Sequence, residues 1–325
     1  MDKEQTKSSP VSDHDWTIHS LNIHGTFFER WCQHLINQNP RWYVSDTQYP
    51  VAFSPTSGPL HKVSGHESTL DIRAELSYRD GRLLTLLIEC KKNNPEFVEW
   101  MFFSEANPRS ASSPFIAPAV SCPTATSGKE RHILRPMLKD LYLEVPVADE
   151  ARETRGDYKS VKDGSKKTKT ANDSISSAAH QVALATQAIF LEEASNNLPD
   201  IPIKGAARRR VEKQIFMPVI VTTARLHLCE FDPADISPSE GVIPYDKVNI
   251  TEKPYLIFKY PLPVHLQMDK GHLLFLSSQN KVDFLVRMSI FVVNSNHFDE
   301  FLNFLVQRYP DMFWDMDAAG DQKTA

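Results

Sequence analysis

The sequence feature that most constrains this chain is the stretch 67–92, which reads ESTLDIRAELSYRDGRLLTLLIECKK. Two runs of strand-like composition flank an Arg-Asp-Gly turn motif at 79–81, and this pattern predicts a β-hairpin. Side chains alternate between the two faces of a strand, so Glu89 and Lys91 share one face. If the hairpin is tight, Asp71 on its first strand returns beside that charged face.

Two carboxylates brought together at the end of an apolar strand repel each other. At a separation of about 4 Å and an effective dielectric constant near 20, the repulsion is roughly 4 kcal/mol. A divalent cation removes this cost, because Mg²⁺ binds one or two carboxylates together with waters and substrate phosphate oxygens. A neighbouring lysine can hold or deprotonate the attacking water, or neutralise charge that develops on a phosphate. An aspartate followed by Glu-x-Lys at a strand end therefore suits metal-assisted phosphodiester hydrolysis.

These residues resemble the motif of the PD-(D/E)xK nuclease superfamily, which has the restriction-endonuclease-like fold. The matching positions are Asp71 and Glu89-Cys90-Lys91, and Leu70 stands where the superfamily name has proline. The resemblance implies that Asp71 and Glu89 bind Mg²⁺, or Mn²⁺, with the main-chain carbonyl of Cys90 as a further ligand. It also implies that Lys91 orients or activates the water. The alternative interpretation is an amphipathic hairpin with a surface ion pair between Glu89 and Lys91, a type of pair that contributes little.

Glu29 lies on a helix predicted over residues 26–37 by the spacing of its apolar side chains. A Gly-x-x-Phe-Glu helix often precedes the catalytic hairpin in the superfamily, and the resemblance implies that Glu29 reaches the metal. The run Thr26-x-x-Glu29 also fits a capping box, in which the glutamate only satisfies the backbone at the helix start. Both interpretations remain open at this point.

A second helix is predicted over residues 174–194. Its buried stripe has helical spacing and contains Ile175, Ala178, Val182, Ala185 and Ile189. Gln181 lies at the edge of this stripe and resembles a glutamine that points back at the active site in several superfamily branches. The alternative is a boundary glutamine on a surface helix. Gln187 is opposite the stripe, so we expect it to face solvent.

Two basic clusters are candidates for contact with phosphate groups. One lies in the segment 107–172, which we interpret as an insertion with a flexible basic loop, because the run 149–173 has few apolar residues. The other is a triple arginine before a predicted buried strand. The candidate nucleic-acid contacts are Lys159, Lys162, Lys166, Lys167, Lys169, Arg208, Arg209 and Arg210. In both clusters, solvated residues without a partner are the open alternative.

Composition limits the class of protein. The 325 residues are 41% hydrophobic and 24% charged with a formal net charge of −5, so polyanion binding needs a local patch and a metal ion. The four cysteines include no CxxC pair and predict reduced thiols in a cytoplasmic protein. No apolar run approaches the roughly 18 residues of a membrane-spanning helix, so we expect no membrane partner. The lack of a Walker or GxGxxG loop argues against an ATP-driven motor or a dinucleotide enzyme.

The order of these parts predicts an α/β protein with a restriction-endonuclease-like core. We expect a mixed central β-sheet flanked by helices, with an inserted basic loop and extra C-terminal strands. One nuclease-like domain is predicted over residues 16–318, between disordered ends at 1–15 and 319–325.

The resemblance implies a Mg²⁺-dependent endonuclease that hydrolyses DNA in preference to RNA, in restriction or phage defence. It further implies a homodimer that pairs two active sites, and the enzyme class is compatible with an activator or a partner subunit. One alternative is a catalytically inactive restriction-like domain that binds nucleic acid or another protein. The other is a structural or interaction protein in which the hairpin charges have no catalytic role.

Overall fold

A computed structural model describes residues 17–18, 25–53, 66–77, 82–93, 99–104, 119–121, 132–134, 144–154, 174–195, 213–267 and 287–321. Over these ranges the chain is a mixed α/β structure built on one large sheet. The strands, in chain order, are β1 (Trp42–Phe53), β2 (His66–Ser77), β3 (Arg82–Lys91), β4 (Glu99–Ser104), β5 (Ala119–Ser121), β6 (His132–Leu134), β7 (Val147–Thr154), β8 (Lys213–Thr222), β9 (Arg225–Phe231), β10 (Val248–Lys253), β11 (Tyr255–Pro261) and β12 (Arg287–Asn294). The long helices of the described ranges are α1 (Thr26–Gln38), α2 (Ser174–Ser195) and α3 (Phe298–Asp321).

Ten strands of the described ranges follow one path across the sheet, in the order β1-β2-β3-β8-β12-β11-β7-β4-β9-β10. The first three form an antiparallel meander, and β8 and β12 continue parallel to β3. This order places β3 inside the sheet, where every residue from Leu83 to Cys90 is buried. A continuous apolar run is typical of a strand that is covered on both faces.

Two hydrophobic cores lie on opposite faces of the sheet. α2 packs on one face, in a cluster that includes Leu87 of β3 and Phe216 of β8. α1 and α3 cover the other face, in a cluster that includes Ile88 and Cys90. Alternation along β3 therefore directs Glu89 toward the α2 face, and the predicted separation of Cys90 from the charged face is confirmed.

α3, which follows the last strand along the chain, packs beside α1 and the start of β1. Four of its residues are fully buried, at the i, i+3, i+4 and i+7 spacing of one helix face: Phe298, Phe301, Leu302 and Leu305. Trp42 Nε1 donates to the Leu302 carbonyl at 3.3 Å. Asn39 Nδ2 donates to Asn303 Oδ1 at 3.1 Å. These bonds hold the link between α1 and β1 against α3.

The predictions for α1 and α2 are confirmed to within one residue at the C-terminal ends. The predicted solvent exposure of Gln187 is wrong, because its side chain is only 1% exposed and donates to the Leu266 carbonyl at 3.5 Å. Gln187 is buried by a tertiary contact. A turn at 264–267 covers the side of α2 that faces away from the sheet, so the helix is buried around most of its circumference.

Two further boundaries differ from the prediction. β7 lies in the sheet between β11 and β4, so residues 149–154 of the polar run predicted as a flexible loop belong to the sheet. α3 extends to Asp321, so the predicted disordered tail begins with helical residues.

Several predicted features lie outside the described residues. They are the turn 79–81, the five lysines from Lys159 to Lys169, the three arginines from Arg208 to Arg210, and the N-terminal segment 1–15. Within the described ranges, no helix combines the length and the apolar character needed to cross a bilayer.

Candidate functional site

The β2–β3 hairpin brings Asp71 to the C-terminal end of β3. The β2–β3 register ends with Ile72 paired to Ile88, one residue short of Asp71 and Glu89. The Cys90 backbone N–H donates to Asp71 Oδ2 at 2.8 Å. The hairpin therefore brings Asp71 to the Glu-x-Lys run, as the sequence predicts.

Glu89 is a buried carboxyl group in an unfavourable environment. Its side chain is 5% exposed, and its Oε2 has no hydrogen-bond partner. Burial, and then the nearby charge of Asp71, raise the pKa of Glu89 to about 9, while Lys91 acts in the opposite direction and Glu29 adds to the rise. The interpretation as a surface ion pair is wrong, because Glu89 is not on the surface.

Asp71 shares this environment to a smaller degree. Burial raises its pKa to about 6; the Cys90 N–H opposes the rise and the charge of Glu29 adds to it. Two neighbouring carboxyl groups thus resist ionisation, and their pKa values are pushed apart. Such pairs occur at catalytic and metal-binding sites, where a proton or a cation occupies the position between them.

Gly25 determines how α1 approaches these carboxyl groups. Its φ is 78°, in the left-handed region that favours glycine, and a Cβ at this position would lie 4.0 Å from Lys92 Cβ. Gly25 is also the N-cap, with no side-chain cap, and its carbonyl accepts from the Glu29 N–H at 3.1 Å. The capping-box interpretation of Thr26 and Glu29 is therefore wrong, because the N-cap is Gly25 and the helix start has no side-chain cap. The Glu29 carboxylate accepts instead from the Gln48 side chain.

Gln48 links Glu29 to Asp71, and no pattern in the sequence marks this residue. Its Nε2 donates to Glu29 Oε2 at 2.9 Å and to Asp71 Oδ1 at 3.3 Å. Among the described residues other than glycine, only Gln48 has a positive φ, of 51°. A left-handed conformation costs a residue with a Cβ about 1 kcal/mol, and such strain is concentrated at functional sites.

The end of β3 is fixed to the loop that follows β8. The Thr223 N–H donates to the Lys91 carbonyl at 3.3 Å. The Asn93 N–H donates to Thr223 Oγ1 at 2.9 Å. Lys91 itself is half-buried. These two bonds hold the backbone of the Glu-x-Lys run on both sides of the lysine.

Gln181 lies on α2 above this part of the sheet. The N-terminal end of α2 contacts the chain after β3, where Ser174 Oγ donates to Asn93 Oδ1 at 3.5 Å. Near its other end, Glu193 accepts from Arg73 Nη2 at 3.2 Å. Gln181 lies between these contacts and is half-buried, but the described residues show no hydrogen bond from it to Asp71, Glu89 or Lys91. The structure thus places Gln181 on the helix that covers the site, without a hydrogen bond to the carboxyl groups.

The residues present fit a magnesium ion better than a metal that needs a complete protein cage. Within the described ranges, no three His, Cys, Asp or Glu side chains form a metal-binding group by themselves. Mg²⁺ retains several waters and commonly takes only one or two carboxylates. The unpartnered Oε2 of Glu89 and the carboxylate of Asp71 supply that number of ligands.

Comparison with known proteins gives no family for this chain. No protein-family model, no curated protein and no solved structure matches it. Function must therefore be inferred from the side chains themselves and from the environment in which the fold holds them.

Proposed function

We propose that this protein is a metal-dependent nuclease that hydrolyses phosphodiester bonds in nucleic acid, with DNA as the preferred substrate. The observation that carries the proposal is the buried carboxyl of Glu89, with an unpartnered Oε2 beside Asp71. Burial of a polar atom without a partner costs free energy. A cation bound between Glu89 and Asp71 would satisfy that oxygen and remove the repulsion between the two carboxylates.

The order of elements supports a restriction-endonuclease-like core. α1 carries Glu29, the β2–β3 hairpin carries Asp71 and the Glu-x-Lys run, and α2 carries Gln181. β8 then pairs with β3 in parallel. This is the sequence of parts expected for the superfamily that the motif resembles.

Each residue has a distinct chemical task in this proposal. Asp71 and Glu89 would hold the Mg²⁺, with the carbonyl of Cys90 as a further ligand by resemblance. The bound ion would neutralise charge on the scissile phosphate. Lys91, at the end of its strand, would orient the attacking water or take its proton. The P–O bond to the leaving nucleotide would break as the water oxygen bonds to phosphorus, and a solvent water would protonate the leaving oxygen. Glu29 and Gln181 would complete the site.

The biological setting of the proposal comes from resemblance alone. The preference for DNA, the restriction or phage-defence role, the homodimer and the cytoplasmic location are expectations of this kind. The basic residues around Lys159–Lys169 and Arg208–Arg210 are the proposed contacts to the nucleic-acid backbone.

A cleavage assay tests the proposal directly. Purified protein would be incubated with supercoiled plasmid, linear duplex, single-stranded DNA and RNA, in Mg²⁺, Mn²⁺ or EDTA. We expect metal-dependent cutting that Glu89→Gln abolishes and that Glu252→Gln, an exposed carboxyl of β10, leaves unchanged. Equal cutting by wild type and Glu89→Gln would overturn the proposal. Metal binding at Glu89 without cutting of any substrate would favour the inactive binding domain.

A further inference from the structure

Gln48 has a backbone conformation that regular strand pairing does not produce. Its neighbours in β1 are paired, Thr47 with Ile72 and Tyr49 with Leu70, but Gln48 and Asp71 are not paired with each other. The one register shift in this strand lies earlier, between Val44 and Asp46. Gln48 nevertheless has a φ of 51° in the middle of a strand. Such strain persists only where other contacts over-determine the conformation.

The side chain of Gln48 provides those contacts. Its amide nitrogen has two hydrogens and stands between two carboxylates, 2.9 Å from Glu29 Oε2 and 3.3 Å from Asp71 Oδ1. The two acceptors belong to different elements, α1 and β2. Among the described residues, Gln48 is the hydrogen-bond donor to the Glu29 carboxylate.

We infer that Gln48 is a positioning residue, whose strained backbone directs its amide so that Glu29 is held beside Asp71 at the metal site. This inference rests on the proposed function, because the position of Glu29 matters only if the carboxylates bind a cation. Gln48 acts through Glu29 and Asp71 and need not touch the metal or the substrate.

A purely structural role for Gln48 predicts a different outcome. If the residue only stabilised the β1–β2 pair, its removal would lower stability without a specific effect on metal affinity. Glycine is the informative substitution, because it tolerates the left-handed conformation and also removes the amide. Gln48→Gly should therefore relieve strain and raise, or leave unchanged, the midpoint of thermal unfolding, while metal affinity falls. A change of stability and of binding in opposite directions is the mark of a positioning residue.

The test is calorimetric titration with Mn²⁺ alone on the full chain, together with thermal unfolding in EDTA. The variants are Gln48→Gly, Glu29→Gln, the double variant and Glu89→Gln, with Thr47→Gly as the control for glycine at an exposed neighbour in the same strand. We expect Gln48→Gly to weaken Mn²⁺ binding about tenfold, the scale typical of residues that support metal ligands. The double variant should bind Mn²⁺ no more weakly than whichever single variant has the lower affinity, because both changes remove the same contribution of Glu29 to the site. Thr47→Gly should lower stability and leave Mn²⁺ affinity unchanged.

The possible failures are distinguishable. If wild type binds Mn²⁺ and Glu89→Gln does not, but Gln48→Gly binds as tightly as wild type, only the role of Gln48 is overturned. The same holds if the losses from Gln48→Gly and Glu29→Gln add in full. If wild type and Glu89→Gln show the same Mn²⁺ binding, the proposed metal centre itself is wrong, and the inference about Gln48 is overturned with it.

Discussion

At the scale of single residues, the site is defined by two carboxyl groups that the fold holds in unfavourable surroundings. Glu89 is almost completely buried without a partner for Oε2, and Asp71 lies next to it. Natural proteins give up stability at functional sites in this way. The free energy of unfolding of the metal-free protein should therefore depend on pH, because ionisation of these carboxyl groups is unfavourable in the folded state.

Glu89→Gln should stabilise the metal-free protein at alkaline pH. The folded-state pKa of Glu89 is about 9, above its ordinary value of 4.5. The folded state therefore binds this proton more tightly than the unfolded chain, and the free energy of unfolding falls as pH rises from about 4.5 to about 9. Glutamine cannot ionise, so at pH 8 the free energy of unfolding of the variant should exceed that of wild type by about 5 kcal/mol.

Urea unfolding in EDTA at pH 4.5 and pH 8 measures this difference. The variant and wild type should be close at pH 4.5, where the carboxyl is protonated in the folded protein. A variant less stable than wild type at pH 8 would mean that Glu89 has a stabilising partner in the fold.

Binding of Mg²⁺ at pH 7 should release about one proton per ion. In the proposed site the carboxylate form of Glu89 would be the metal ligand, but its pKa of about 9 keeps it protonated at this pH. Affinity should fall about tenfold for each unit of pH between 9 and 6, and more steeply below about 6, where Asp71 also takes up a proton. Titration calorimetry in two buffers of different ionisation enthalpy counts the protons. Zero release at pH 7 would contradict a site that contains Glu89.

Lys91→Ala should abolish cleavage and leave the fold intact. Lys91 is half-buried at the last position of β3, and its backbone bond to Thr223 does not depend on its side chain. Cleavage rates and circular dichroism of the variant measure the two effects. Lys247→Ala, an exposed lysine far along the chain, is the matched control. Normal cleavage by Lys91→Ala would remove this residue from the proposed mechanism.

At the scale of secondary-structure elements, the sequence predicts what depends on local pattern. The apolar spacing of α1 and α2, and the alternation along β3, are properties of neighbouring residues, so their prediction succeeds. The burial of Gln187 depends on a turn at 264–267, which the sequence of α2 does not contain. The role of Gln48 depends on contacts from two other elements, and a left-handed glutamine has no sequence pattern.

Thr223→Val should test whether the hydrogen bonds that hold the end of β3 affect the proposed cleavage. Valine keeps the volume and the backbone N–H that reaches Lys91, but loses the hydroxyl that accepts from Asn93. We expect a loss of about 1 kcal/mol in unfolding free energy. Cleavage should fall by a larger factor, because the chain end that carries Lys91 is less firmly held. Thr223→Ser keeps the hydroxyl and should behave as wild type in both measurements; equal cleavage by all three proteins would show that this fixation has no functional effect.

At the scale of the whole molecule, one sheet with helices on both faces joins distant parts of the chain. α3 packs against the same core as α1 and accepts the bond from Trp42. Because the net charge is negative, the proposed nucleic-acid substrate would have to be attracted by local groups rather than by the overall field.

Leu302→Ala should destabilise the protein without changing its site. Leu302 is fully buried in the α1–α3 core, and its truncation should cost about 3 kcal/mol. The Mn²⁺ affinity of the folded protein should not change, because this side chain belongs to the opposite core from the charged face of β3. Urea unfolding and metal titration measure the two quantities. Val264→Ala, at an 83% exposed position, is the control and should have little effect on either. Loss of Mn²⁺ affinity in Leu302→Ala would show that the core and the site are coupled.

The pairing of β3 with β8 also has a consequence during protein synthesis. Thr85 and Gln214, which bond at 3.0 Å between these two strands, are 129 residues apart in the chain. A ribosome that adds about 5 to 20 residues per second needs roughly ten seconds to make that interval. Throughout that time one edge of an almost wholly apolar strand has no partner, so the emerging polypeptide requires protection from aggregation. The end of β3 likewise cannot be fixed by Thr223 before the loop after β8 has left the ribosome.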